Sequence, residues 1–305
     1  MAVALAHELR DVTRAEALAD YENLVAEPAP TEASFRRTGL RMLDFFFLHH
    51  RIKARTKRHL SFFEAMRDSQ VVEHLDDLVK RYKKREPSSY DHVDLQKARY
   101  SVFQLYYGTI NQFRPVNAKW IYHRFAPKVG ILDFSAGWGG RCLAAMSMGI
   151  PYVGIDANRN LEPAYRAMIR AAQPTAPTQV FFQPSETVDF SKFDYDLIFT
   201  SPPYFMIEEY ERMPQYGSKE GFLEKFFIPV VRESWKHMRR GGHMALNMPE
   251  EMLVALQQAK ILPRMSTKLA MPLANRHPTN AVQGTALGTT NTARQEWIYV
   301  WKKTA

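Results

Sequence analysis

The chain has 305 residues, 46% hydrophobic and 24% charged, an ordinary balance for a soluble globular protein. Its formal net charge of +9 favours a polyanionic partner. The single cysteine, Cys142, excludes an internal disulfide and any multi-cysteine zinc site, and the ten histidines show no pairing at metal-ligand spacing, so no metal is expected.

The opening stretch, Met1 to Asp20, carries acids among its apolar residues and does not read as a signal peptide. No apolar run reaches the length of a bilayer span, and a cytoplasmic or nucleoid-associated protein is expected. Residues 1–108 read as a helical, basic region. Glu27-Pro28-Ala29-Pro30 looks like a linker, and Leu40, Leu43, Phe46 and Phe47 mark one face of a helix. Phe62, Phe63 and Met66 begin another, and Leu75, Leu78, Val79 and Tyr82 continue the pattern until Glu86-Pro87-Ser88-Ser89 breaks it. A further helix is predicted from Asp94 to about Tyr107. Between Asp44 and Glu64 there is no acid, while Arg51, Lys53, Arg55, Lys57 and Arg58 cluster there. Such a cluster is either a phosphate-gripping face or a solvated helix surface.

Within residues 109–305 the rhythm becomes strand, turn, helix, strand. Asn111 to Ala118 contains Phe113 and Pro115 and leads into a helix-like segment. Predicted strands are Val129 to Phe134, Tyr152 to Ile155, Val180 to Phe182, Tyr195 to Phe199, His243 to Asn247 and Trp297 to Trp301, with a helix over Gly221 to Met238. The alternation predicts a largely parallel α/β sheet covered on both faces, with ligands beyond the carboxyl ends of its strands.

Two strand ends carry chemistry. The first reads Asp133-Phe134-Ser135-Ala136-Gly137-Trp138-Gly139-Gly140-Arg141, where glycines let the backbone approach a ligand closely. The spacing is not that of a phosphate loop, and no phosphate-gripping lysine follows. Asp156 ends the next strand, where a carboxylate can accept from two ribose hydroxyls. The second strand end reads Thr200-Ser201-Pro202-Pro203-Tyr204-Phe205. Cys142, at the start of a helix and far in sequence from this loop, reads as a small buried residue rather than a nucleophile.

In the order glycine loop, acid, Ser-Pro-Pro-Tyr, the chain over roughly residues 111 to 301 resembles the S-adenosylmethionine-dependent amino-methyltransferases of DNA. The resemblance implies a Rossmann-like class I methyltransferase sheet and S-adenosylmethionine as cofactor. It implies methylation of N6 of adenine or N4 of cytosine on a base flipped out of the duplex. It assigns Ser201, Pro202, Pro203 and Tyr204 to catalysis. Phe113, Pro115, Asp133, Ser135, Gly137, Gly139, Asp156 and Ser185 fall to the cofactor, with Ser185 standing in for an acid near the adenine. Phe205 falls to the substrate side. From the charge pattern, Arg51, Lys53 and Arg55 are the candidates for phosphate, and the polar stretch 275–294 is either a nucleic-acid contact or a surface loop. An exocyclic amine is a poor nucleophile because its lone pair is delocalised into the ring. Acceptors such as the Ser201 hydroxyl and the rigid Pro202 carbonyl localise that pair, and Tyr204 stacks the base. An RNA or protein-glutamine amino-methyltransferase, or a silent binding subunit with the same fold, are the alternatives.

Overall fold

Local signals set the N-terminal helices. α1 (Ala2–Leu9) is followed by α2 (Arg14–Ala26), which opens on a capping box between Thr13 and Glu16. α3 (Leu40–Arg51) starts after Gly39, whose φ of 87° lies in the left-handed region. α4 (Ser69–Arg85) and α5 (Leu95–Tyr106) follow, the latter capped by the Asp94 carboxylate on the amides of Gln96 and Lys97. The computed structural model describes residues 1–85, 93–204, 208–209, 216–272 and 295–304.

α3 belongs to two cores at once. Met42, Leu43, Phe46 and Phe47 pack into a cluster with Val12, Ala17, Tyr21 and Leu24 and with one face of the sheet, while Leu48 turns to a separate helical cluster containing Leu75, Leu78, Val102 and Phe103. Val12, residues of α2 and one face of α3 as far as Phe47 therefore share a core with the sheet, while Leu5, Ala6 and Leu9 of α1 pack into the helical cluster.

That sheet has seven strands: β1 (Ile131–Asp133), β2 (Tyr152–Asp156), β3 (Thr178–Phe182), β4 (Leu197–Thr200), β5 (His243–Asn247), β6 (Thr267–Pro272) and β7 (Gln295–Lys302). Their spatial order is β3-β2-β1-β4-β5-β7-β6; the first five are parallel, and β7 runs antiparallel to both its neighbours. Side chains alternate between faces with the period of two that strands impose. Ile131, Leu197, Phe199, Ala245, Ile298 and Val300 enter the core shared with the N-terminal helices. Leu132, Ile198, Met244, Leu246, Tyr299 and Trp301 enter the opposite one. On the first face lie α6 (Pro115–Phe125), α7 (Gly140–Ser147) and α8 (Glu162–Ala172); on the second, α9 (Ile228–His237) and α10 (Glu250–Ala259). The strand order reverses between β1 and β4, which creates a crevice beyond their carboxyl ends. Among the described residues, no helix is long and apolar enough to cross a membrane.

Candidate active site

β1 and β4 are adjacent and parallel, with Ile131 opposite Leu197 and Leu132 opposite Ile198. The loops that leave them thus emerge side by side at the switch point, the glycine loop from one and Ser201-Pro202-Pro203-Tyr204 from the other.

The glycine loop is held from beneath by a buried ion pair. Asp133 is fully buried, and Arg141 donates Nε to its Oδ2 at 2.7 Å and Nη2 to its Oδ1 at 3.2 Å. The Tyr152 hydroxyl donates to Oδ2 at 2.7 Å and the Ser135 amide to Oδ1 at 3.2 Å. Burial pushes the Tyr152 phenol well up, keeping it a donor. Arg141 also donates to the Ser135 carbonyl. Four donors occupy the Asp133 carboxylate, so the direct cofactor contact expected of Asp133 is corrected: it shapes the loop instead. Ser185 is corrected likewise, because it is buried and its hydroxyl donates to the Phe134 carbonyl at 2.6 Å. Ser135 keeps its hydroxyl on that same carbonyl at 2.8 Å.

The glycines divide the work. Gly137, at φ 60°, has only the Ser135 carbonyl, 3.8 Å away, where a Cβ would stand, so its face is open. Gly139 faces inward, and a Cβ there would lie 3.0 Å from Phe47 and 3.2 Å from Met168. It lets α3 approach the loop. A Cβ on Gly140 would stand 2.0 Å from the Phe113 carbonyl. The Phe113 segment is therefore laid directly on the loop, with Pro115 as the first residue of α6 and the Phe113 ring edge-on to Phe199 at 5.4 Å. The start of α6 at Pro115 is what this segment shows directly.

Asp156 ends β2 beside the open face of Gly137. It accepts from the Gly137 amide at 2.7 Å on Oδ2 and from the Asn158 amide at 2.8 Å on Oδ1. Burial pushes its carboxyl up to about 6 against the pull of those two amides. Each oxygen retains a lone pair beyond the one used. After β3, the turn carrying Ser185 presents Glu186, which accepts from the Tyr216 hydroxyl at 2.8 Å through Oε1, while Oε2 is buried with no hydrogen-bond partner among the described residues. The sequence reading passed over Glu186; an acid one residue beyond Ser185 was the available signal.

At the end of β4, Thr200 is fully buried and its hydroxyl has no partner among the described residues. The Ser201 hydroxyl meets the Asn247 side chain at 3.3 Å, Pro202 is buried, and Pro203 and Tyr204 are half-buried, Tyr204 resting on the core of the second sheet face. Asn247 was legible only as the last residue of a strand. Phe205 and residues 275–294 lie outside the described residues.

The basic cluster is only partly available to a polyanion. Arg51 is buried and paired with Asp44 at 2.8 Å, so its expected phosphate contact is corrected: Asp44 stands two helical turns earlier on the same face and holds the guanidinium inside. Arg55 clasps Glu64, whose carboxyl that hydrogen bond holds down at about 2. Burial, then His49 and Lys53, hold His50 down at about 4, neutral at physiological pH. Lys53 is half-buried, while Lys57 and Arg58 are exposed. Residues Arg55 and Thr56 pair antiparallel with Glu209 and Glu208, so this basic turn is stitched to the chain just past Tyr204. Cys142 is fully buried, and burial together with the Asp133 charge pushes its thiol up, away from nucleophilic use.

No family model matches the chain, and no curated protein matches it. Solved structures with a similar arrangement include TrmN from Thermus thermophilus, 18% identical, at a TM-score of 0.43, covering 62% of this chain and 48% of that one. An rRNA methylase from Streptococcus thermophilus is 12% identical at 0.40, covering 64% and 100% respectively. The tRNA m1G37 methyltransferase of M. jannaschii is 12% identical at 0.40, covering 65% and 52%. The chain thus spans about half of the Thermus protein's length. The strand order, with an antiparallel strand inserted beside β5, is the Rossmann-like class I methyltransferase sheet expected from the sequence.

Proposed function

We propose that this protein is an S-adenosylmethionine-dependent methyltransferase acting on an exocyclic amino nitrogen of a nucleic-acid base. The observation that carries the reading is the emergence of the glycine loop and Ser201-Pro202-Pro203-Tyr204 from adjacent parallel strands at the switch point. The residues present fit the cofactor. Gly137 leaves an open face, Asp156 has lone pairs for two ribose hydroxyls, and Glu186 Oε2, without a partner among the described residues, is an acceptor suited to an adenine amine. S-adenosylmethionine, when bound, supplies a methyl carbon already activated by its sulfonium.

The chain's own work is then alignment and preparation of the amine. The Ser201 hydroxyl and the Pro202 carbonyl accept the amine hydrogens and draw its lone pair out of the ring, and Tyr204 offers a face for the base. Lys57 and Arg58, on the turn stitched to the chain beyond Tyr204, are the cations placed for the flanking phosphates. The sequence pattern resembles the DNA enzymes, with N6 of adenine or N4 of cytosine as target. The amine sits on the base and not on the sugar, so the same loop serves RNA, and RNA stands beside DNA as acceptor.

Incubation with labelled S-adenosylmethionine and separate DNA, RNA and protein acceptors, followed by nucleoside analysis, tests the proposal. Label is expected in an N-methylated base, lost in Ser201→Ala and Tyr204→Ala. Label confined to protein, or undiminished in both variants, refutes it.

A further inference from the structure

We infer that Asn247 is a positioning residue that fixes the Ser201 hydroxyl as a hydrogen-bond acceptor towards the substrate amine. Asn247 closes β5, next to the Ser201 loop, and is 2% exposed. Its Nδ2 donates to the Trp297 carbonyl at 3.2 Å. A carbonyl offers no hydrogen, so it faces the amide nitrogen and the orientation of the amide follows. Oδ1 is thereby turned to Ser201 Oγ, 3.3 Å away. An amide oxygen has no proton to give, so the serine must donate.

The consequence lies in what the serine has left. A hydroxyl has one hydrogen and two lone pairs. With the hydrogen committed to Asn247, only lone pairs face the acceptor amine, and these accept its N–H. A freely rotating hydroxyl would also donate into the amine lone pair and occupy the electrons that must attack. Asn247 removes that unproductive rotamer. This role rests on the function proposed above.

The distinguishing experiment is a double-mutant cycle with Ser201→Asp, assayed with tritiated S-adenosylmethionine on unmethylated genomic DNA and on total RNA. A carboxylate brings lone pairs without needing orientation, and it would face Asn247 Oδ1 acceptor to acceptor. Asn247→Ala should therefore lower kcat about five- to tenfold in the wild-type background, the worth of one hydrogen bond, and raise it when combined with Ser201→Asp. The Kd for the cofactor should stay within about twofold. Asn247→Asp keeps an acceptor for Ser201 but has no hydrogen for the Trp297 carbonyl. It should retain kcat within about threefold while its melting temperature falls. All assays are run below the lowest melting temperature of the set. Equal losses from Asn247→Ala in both backgrounds, or an Asn247→Asp as slow as Asn247→Ala, overturn the inference. A wild-type protein that labels neither polynucleotide overturns the function itself.

Discussion

Replacing Asp133 by Asn tests whether this residue shapes the cofactor loop or touches the ligand. The carboxylate is completely buried and takes four hydrogen bonds, two of them from Arg141, which is itself only 4% exposed. Neutralising one partner of such a pair leaves a buried guanidinium uncompensated, at a cost of about 3–5 kcal/mol. Folded domains of this kind hold roughly 5–15 kcal/mol in all, so the variant should lose a large share of its stability. Urea denaturation should show a lower midpoint, and calorimetric titration should show weaker cofactor binding because Ser135 and Gly137 are no longer held. Arg141→Met alone should be severe as well. Asp133→Leu with Arg141→Met, which removes both charges together, should cost clearly less than the sum of the two separate changes, with a coupling of a few kcal/mol. If Asp133→Asn lowers affinity while the urea midpoint stays put, Asp133 is a ligand contact and the scaffolding argument fails.

Asp156 makes a pH prediction with two signs. Its folded carboxyl, pushed up to about 6 by burial, lies above the ordinary value of 3.8, so the ligand-free protein should lose stability as pH rises from about 4 to about 6 and hold level above that. Cofactor affinity should move the other way, rising through about pH 6 as the carboxylate ionises, and Asp156→Asn should flatten that curve in titrations between pH 5 and 8. Gly140→Ala forces a Cβ onto the Phe113 carbonyl at 2.0 Å and should cost about 1–3 kcal/mol in urea melts. Gly137→Ala meets open space, so its stability loss should be the smaller left-handed strain of about 1–2 kcal/mol, with cofactor binding hit hardest; a larger stability loss at Gly137 than at Gly140 would contradict this division. Thr200→Val removes a buried hydroxyl that has no partner among the described residues and should leave stability unchanged or raise it by about 1 kcal/mol; a fall of that size would show that the hydroxyl is used.

Much of the site was legible because strand ends announce themselves by composition. An apolar run stops at Asp133, Asp156 or Ser201, and a turn-forming residue follows. What the sequence concealed was pairing across distance. β6 reads Thr-Lys-Leu-Ala-Met-Pro, with Leu269 and Met271 the buried residues among those described, a pattern too short and weak to announce a strand before β7 is set beside it. Arg51 looked available to phosphate because the eye runs along the charge cluster, whereas a helix brings Asp44 round to it after seven residues. The Asp133 assignment failed for a related reason. A carboxylate at a ligand-binding strand end is ambiguous until its partners are known, and Arg141 and Tyr152, which consume it, come from two different elements. The linker expected at Glu27-Pro28-Ala29-Pro30 is pinned by Lys119, whose ammonium donates to the carbonyls of Leu24 and Glu27 at 2.5 Å, a contact no local pattern reveals.

The three neighbouring strands β1, β4 and β5 end in groups of different kinds, and the difference bears on mechanism. β1 ends in an ion pair whose charge is spent inside the protein, β4 in a serine followed by a rigid proline carbonyl, and β5 in an asparagine whose amide is oriented by the chain beyond it. On the acceptor side, Ser201, Pro202 and Asn247 are neutral groups that do not ionise in the physiological range. Under the function proposed above, a site built this way would not activate an amine by removing its proton beforehand; it would hold fixed dipoles where the lone pair must emerge. Such dipoles work only if they cannot reorient. That requirement fits the ties of Asp133 to Arg141 and Tyr152, of Ser201 to Asn247, and of Asn247 to the Trp297 carbonyl.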